Sequence, residues 1–335
     1  MNFLLLGLGV LLVATSILDA LWTVLWVNGG AGPVTNQVTS GIWWIIVQGL
    51  RIKRHDWLSL GGPVTQVVTM MVWLGLLWVG WVFIFSADPA SIIHSEASNQ
   101  PLAALSDRIY FVAYTITTFG NGELYPQRGG WQLMTSLAAF TGILLITMVV
   151  SFLLSVVSGV TTKQSLTSQI IGLGSSAEEL VLNSWNGREF SGLDLQLALI
   201  ASQLGKLTEQ QIAYPILQYY HGASVQKGSA PAIAILDEAL TILTYGIQKP
   251  YRPSPASLIS TRAAVQNYLK TVKSAGIQAV DLLPPAPDLA LLRRAGIPVV
   301  SNEEFMQALP SLDDRRRLLL GFVQQSCFHW PDHAI

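Results

Sequence analysis

Three apolar runs, each long enough to cross a bilayer, set the terms on which this chain can fold. Residues 3–27 read FLLLGLGVLLVATSILDALWTVLWV, residues 64–86 read VTQVVTMMVWLGLLWVGWVFIFS, and a third run extends from Trp131 to residue 158. A helix needs about 20 residues to span the hydrocarbon core. There every backbone polar group must be satisfied within the protein, so such runs become helices. Composition agrees: 51% of residues are hydrophobic and 12% charged, against about 25% charged in a soluble domain. The first run is too long for a signal-peptide core and no basic segment precedes it, so a retained helix is expected.

Charge divides the chain. Residues 1–163 hold six Lys/Arg and six Asp/Glu, and residues 164–335 hold thirteen and fourteen. The first half is expected in the membrane and the second in water. Within the first, Val34, Val38, Ile42, Ile45, Ile46 and Leu50 recur at helical spacing, and Arg51, Lys53, Arg54 and His55 follow. The pattern predicts an amphipathic helix over 34–50 on the cytoplasmic leaflet, its basic end toward anionic lipid. The segment 87–105 has no Lys or Arg and belongs outside. The N-terminus is then outside, helix 64–86 runs outward, helix 131–158 runs inward, and the rest is cytoplasmic. The expected fold is an all-α, multi-pass cell-membrane protein with three transmembrane helices. Its parts are an N-terminal spanning helix with the interfacial helix (1–63), a central hairpin of helices (64–160), and a mostly helical cytosolic domain (161–335). The compact length, with no eukaryotic targeting signal, points to a prokaryotic inner membrane.

Between the second and third runs stands a polar knot, TITTFGNGELYP, at residues 115–126. The flanking helices both end outside, and the 25 residues 106–130 are too few for two crossings. They can dip in and return. Ser106 is a candidate N-cap with Asp107 in the first turn, opening a short helix SDRIYFVAYTITT. A non-helical return at membrane depth is tolerated only where it is buried in protein or lines water, which asks for a pore.

The knot resembles the selectivity filter and outer mouth of tetrameric potassium-channel pore-loop proteins, whose pattern is T-T-V-G-Y-G-D-x-x-P. Thr117, Thr118, Gly120, Gly122 and Pro126 stand where that pattern puts them, and Thr115 fits its threonine-rich approach. The resemblance covers about 64–158 and implies a two-transmembrane-type pore domain. It implies an ion-binding column from Thr117, Thr118, Phe119, Gly120, Asn121 and Gly122, with backbone carbonyls and the Thr118 hydroxyl replacing the ion's water. Glu123 would stand at the outer mouth. Gly142, twenty residues beyond Gly122, would serve as a gating hinge, although glycine is frequent in membrane helices generally. With one such loop per chain, a central pore implies a homotetramer in membrane lipid. K⁺ (or Na⁺) is the permeant ion, and neither an organic cofactor nor a metal site is implied.

Three positions depart from the pattern: Phe119 for valine, Asn121 for an aromatic residue, Glu123 for aspartate. Asparagine is too short and polar to prop the filter as an aromatic ring does, so a different network and weaker K⁺ selectivity are expected. A non-selective Na⁺/K⁺ channel stays open, as does a non-conducting membrane-anchored signalling or scaffold protein. Asp19, a carboxylate inside the first run, marks a functional position by default; the alternative is a residue near the cytoplasmic end, protonated or bonded to a neighbouring helix.

The second half offers no catalytic set, so no enzyme is expected. Capping boxes are read at Ser175–Glu178, Thr208–Gln211 and Ser301–Glu304. Pro231 and Pro310 are read as preceding or opening helices. Ile171–Ser175 (IGLGS) lacks a preceding strand and reads as a helix break rather than a nucleotide loop. YPILQYYHG (214–222) reads as an aromatic core with His221. Cys327, His329 and His333 make a weak metal pattern, and Arg315, Arg316 and Arg317 read as a solvated helix start. The net charge of −1 and the absence of a basic run point away from nucleic acid. A regulatory ligand or protein partner for this half is not identified by any motif.

Overall fold

The computed structural model describes residues 1–26, 29–45, 60–94, 102–220 and 228–331. The fold is all-α, with three helices among the described residues long and apolar enough to cross a membrane. The chain divides into two units, one of Met1–Trp43 with Val64–Val156 and one of Trp44–Pro63 with Val157–Ile335.

In the first unit, helix α1 (Phe3–Leu25) starts at the Asn2 cap, whose side-chain oxygen accepts from the Leu4 and Leu5 amides. It packs against α3 (Gly61–Ser86) through small residues. A Cβ on Gly9 would meet the Gly80 carbonyl at 2.6 Å, and one on Gly80 the Gly9 carbonyl at 3.0 Å. Close backbone approach of this kind is how membrane helices gain contact without a hydrophobic driving force. The Asn2 amide bonds the Ala87 carbonyl, and the Ser16 hydroxyl bonds the Trp73 carbonyl. The two helices therefore run antiparallel.

Between them α2 (Pro33–Trp44) folds back. The apolar stripe predicted for 34–50 is not its inner face. Thr35 and Thr39 are buried, while Val34 and Val38 are half-buried. The reason is Asp19. One carboxylate oxygen accepts the Val34 amide (2.8 Å). The other accepts the Thr35 amide (3.1 Å), the Thr35 hydroxyl (2.6 Å) and the Trp73 indole N–H (2.9 Å). Asp19 caps the α2 N-terminus from another helix, satisfying amides that otherwise have no partner. Of the two readings of Asp19, the bonded one holds. The rest of the predicted 34–50 helix and the basic cluster at 51–55 lie outside the described residues.

Helix α4 (Leu105–Ile116) and the part of helix α5 (Gly130–Leu173) up to Val156 complete this unit, and α5 continues well beyond the predicted end at 158. It stops at Gly174, where a Cβ would meet the Leu180 amide at 2.3 Å, so the IGLGS segment does mark a helix break.

The second unit is helical. It contains α6 (Ala177–Asn183), α7 (Leu193–Ala213), α8 (Ser229–Thr241), α9 (Pro255–Ser274), α10 (Ala290–Arg294), α11 (Asn302–Ala308) and α12 (Asp313–Gln325). Every residue of α8 is buried, its Asp237 and Glu238 included, so the helix runs through the core of this unit. Pro231 lies in its first turn, and Pro310 in a 3-10 turn just before α12. The Ser301 hydroxyl caps α11 by accepting the Glu304 amide. The first box is shifted by one: Ser176 is the cap, Glu179 its partner, and Glu178 is buried. The second is no cap, since Thr208 lies inside α7 and bonds the Leu204 carbonyl. The aromatic segment forms a 3-10 turn, Pro215–Tyr219, with Ile216 and Leu217 buried. His221 and His333 lie outside the described residues, while Cys327 and His329 are exposed.

The arginine run is not a solvated start. Arg315 pairs with Asp237 of α8 at 2.7 Å and Arg316 with Glu238 at 2.7 Å, while Arg262 of α9 meets Asp237 at 3.0 Å. Buried carboxylates on the central helix must be matched by cations. Adjacent acids on α8 and adjacent arginines on α12 supply that match, and local pairing with Asp313 and Asp314 gives way to it.

Candidate functional site: the loop between α4 and α5

The knot hangs from α4. That helix begins one residue before Ser106, and the cap is Ala104 rather than Ser106. The Asp107 carboxylate instead accepts the Ala104 amide at 2.8 Å. Its N-terminal end is pinned by the Arg108 guanidinium on the Pro89 carbonyl (2.9 Å) and by His94 beside Asp107 (3.6 Å). Its C-terminal end packs on α5. A Cβ on Gly142 would lie 2.1 Å from the Ile116 carbonyl, and α5 passes through Gly142 without interruption. Gly142 therefore serves at least as a gap that lets α4 dock. Gly142→Ala is expected to push α4 off α5 and lower the melting temperature of the purified protein by about 2–12 °C, from an overpacking cost of about 1–3 kcal/mol at about 2–4 °C per kcal/mol.

Helix α4 ends at Ile116, and the chain unwinds through Thr117. The Phe119 amide returns to the Tyr114 carbonyl (2.8 Å), and the Thr117 hydroxyl to the Ala113 carbonyl (2.8 Å). The backbone then alternates. Thr118, Gly120 and Gly122 have φ of 58°, 60° and 77°, a left-handed conformation at every second residue. For Thr118 this costs about 1–2 kcal/mol, which glycine avoids. Such alternation turns successive peptide groups to a common side. Strain at a β-branched threonine is a signature of a site whose backbone geometry is enforced. Thr117, Thr118, Phe119, Gly120, Gly122 and Glu123 are exposed in the single chain, with Phe119 at 78%, and Asn121 is half-buried.

Asn121 has a partner. Its side-chain amide donates to the Tyr110 hydroxyl of α4. Tyr110 stacks edge-on against Tyr114 at 5.3 Å, and the Tyr114 hydroxyl donates to the Leu124 carbonyl at 2.9 Å. Two tyrosines one helical turn apart thus hold the loop at Asn121 and again at Leu124. Beyond it, Leu124–Pro126 (β2) pairs antiparallel with Ile92–His94 (β1), a register that joins the segment after α3 to the loop's exit. The Trp131 indole bonds Asp88 (3.2 Å), and the Trp81 indole bonds Thr141 (3.0 Å).

The strand pair was missed by sequence reading because three residues show no alternation. The tyrosine network was half visible. A polar residue at a position otherwise aromatic calls for a hydrogen-bond partner, and Tyr110 and Tyr114 sit at i, i+4 spacing on the neighbouring helix.

Residues 71–159, which include this loop, match the profile of a known family described as "Ion channel". Over 326 residues the chain is also 41% identical to the protein named "Uncharacterized membrane protein YdjJ" of Bacillus subtilis (strain 168), covering 96% of this chain and 94% of that one. The chain belongs to the pore-loop ion-channel superfamily. The similarity to YdjJ extends across both units, so the helical C-terminal half is shared along with the pore-loop segment. No solved structure matches the chain. As a superfamily member the chain is a multi-pass membrane protein with a channel-like part, and α3, α4 and α5 are the elements that the ion-channel match spans.

Proposed function

We propose that four copies of the chain surround a cation pore that prefers K⁺, with residues 117–122 as its filter and Glu123 at its outer mouth. The observation that carries this reading is the alternation of left-handed backbone at Thr118, Gly120 and Gly122. Rings of carbonyls, rather than charged groups, hold a dehydrated ion without trapping it. One loop per chain cannot enclose an ion, and the exposed apolar residues of α5, among them Leu133, Leu137 and Phe140, are the surface that copies would cover. The Lys/Arg-free segment 87–105 and the basic 51–55 cluster support a loop on the outer side and a cytoplasmic second unit. The test is cation flux into liposomes holding the purified protein, with bi-ionic reversal potentials in Na⁺ against K⁺. Ba²⁺-blocked K⁺ flux is expected. No flux of either ion leaves the scaffold reading.

A second reading, a Na⁺/K⁺ channel, is favoured by Asn121, which supports the filter through one hydrogen bond per chain in place of a packed ring. In either reading Tyr110→Phe removes that bond. A hydrogen bond worth about 0.5–1.5 kcal/mol corresponds to roughly a two- to tenfold change. The Na⁺/K⁺ permeability ratio is expected to rise by about that factor, while the oligomer stays intact. An unchanged ratio would remove the Tyr110–Asn121 pair from the account of selectivity.

A further inference from the structure

Lys163 of α5 is held without an acid. It lies beyond the predicted spanning part of that helix and is half-buried. Its ammonium donates to the Leu217 carbonyl at 3.1 Å and to the Tyr220 carbonyl at 2.8 Å. It enters no ion pair among the described residues. Both carbonyls belong to the segment after α7, where the chain makes the 3-10 turn Pro215–Tyr219. One turn earlier on α5, Gly159 leaves a gap that the Leu217 side chain fills: a Cβ there would meet Leu217 Cδ1 at 2.6 Å. Leu217 is fully buried. On its other side the segment meets the first turn of α3, where a Cβ on Gly62 would lie 2.6 Å from the Tyr220 ring. All of these residues fall within the second unit.

Residues 214–220 thus form a strap between the start of α3 and the extension of α5. The strap continues α7 directly, through the Tyr214 amide on the Gln210 carbonyl (2.9 Å). A lysine bonded to carbonyls alone keeps its full charge, which water solvates better than two peptide groups do. Its flexible stem can carry the ammonium from the strap to water while the α5 backbone stays in place. Held and released lysine are therefore two discrete arrangements, the kind of element that couples distant parts of a protein. The gaps at Gly159 and Gly62 act in the same sense, since Leu217 and Tyr220 fill them only while the strap is seated.

We propose that the strap 214–220 is a latch through which the second unit controls conduction: it ties the start of α3 to the extension of α5 and lets go when Lys163 leaves the Leu217 and Tyr220 carbonyls. The inference rests on the pore reading above, in which α3 and α5 flank the ion path. Both helices continue unbroken from this joint into the first unit. A movement of α7 therefore pulls on the strap, and the strap acts on both helices at residues 62, 159 and 163.

Hydrogen–deuterium exchange and K⁺ flux, measured on the full-length protein in liposomes, test this with three variants. Lys163→Met removes the donors, Lys163→Arg keeps them, and Gly62→Ala displaces the Tyr220 ring from the α3 side. Lys163→Met and Gly62→Ala are each expected to speed exchange at 215–220 by at least about threefold, and to change flux by at least about threefold in one shared direction. Lys163→Arg is expected to stay within about twofold of the unmodified protein in both readouts. Gly62→Ala is also expected to speed exchange at 159–166 of α5, across the strap. Faster exchange with flux unchanged, or moved in opposite directions, overturns the latch and leaves a packing joint. Exchange confined to 60–66 after Gly62→Ala overturns the joint itself, whatever the flux. An unmodified protein without flux removes the pore reading, and control of conduction with it, while the exchange result still decides the joint. If Lys163→Met does not fold, Gly62→Ala decides alone.

Discussion

Asp19→Ala is expected to destabilise the protein by about 3–5 kcal/mol, the range for removing one partner from a buried charged cluster. Four donors converge on that carboxylate from two other helices: two backbone amides, a hydroxyl and an indole N–H. Alanine strands all four in a place where water does not reach, and each stranded group costs about 1–3 kcal/mol before relaxation. Asp19→Asn should recover only part of the loss, because an amide offers one oxygen and brings two donors of its own. Trp73→Phe removes a single donor and should cost about 1 kcal/mol. Thermal melts of the three variants in detergent, read beside the retained oligomer, give the order Ala, then Asn, then Phe. An Asp19→Ala protein that melts with the unmodified one would mean that α2 does not depend on its cap. The same geometry decides what Asp19 is for: with both oxygens engaged, it is a joint between helices.

How far the sequence foretold this structure depends on the range over which each interaction acts. The spanning helices were legible because twenty apolar residues in lipid have one solution. The position of the knot was legible for the same reason, and the glycines at 120 and 122 announced positive φ. Left-handed backbone at Thr118 was not, because nothing local prefers it; the loop's closure imposes it. The α2 face was misjudged because a carboxylate fifteen residues away outweighs a valine stripe. The arginine run at 315–317 was misjudged for a related reason. Local charge pairs across one helix turn are worth a few tenths of a kcal/mol, whereas a buried acid 78 residues distant demands a counter-charge. In the second unit, caps were legible to within a residue where Ser and Glu stood at a true helix start. They failed at Thr208, where the threonine bonds back within its own helix.

Gly120→Ala is expected to abolish cation flux, to below about one-hundredth of the unmodified rate, while leaving assembly intact. The two halves of that expectation have separate physical grounds. Within the chain, a Cβ on Gly120 meets no atom within 4 Å, so packing of the pore-loop unit is undisturbed. The backbone, however, is at φ 60°, where an L-residue pays about 1–2 kcal/mol. In a four-fold pore the strain falls on every copy of the loop, roughly 4–8 kcal/mol in all. It is relieved when the peptide group turns away from the axis. A bias of about 5.5 kcal/mol suffices to move a two-state equilibrium from 99:1 to 1:99, so conduction should vanish even though each chain is only mildly strained. Liposome flux together with size-exclusion analysis of the same preparation checks both halves. Normal conduction by the alanine variant would mean that residues 117–122 do not form the ion path. Loss of the oligomer would instead place Gly120 at a contact between copies. Thr118 gives the comparison from the other side. Thr118→Gly relieves strain already present, so it should leave the chain at least as stable while removing the hydroxyl, and any change in flux would then report the side chain rather than the backbone.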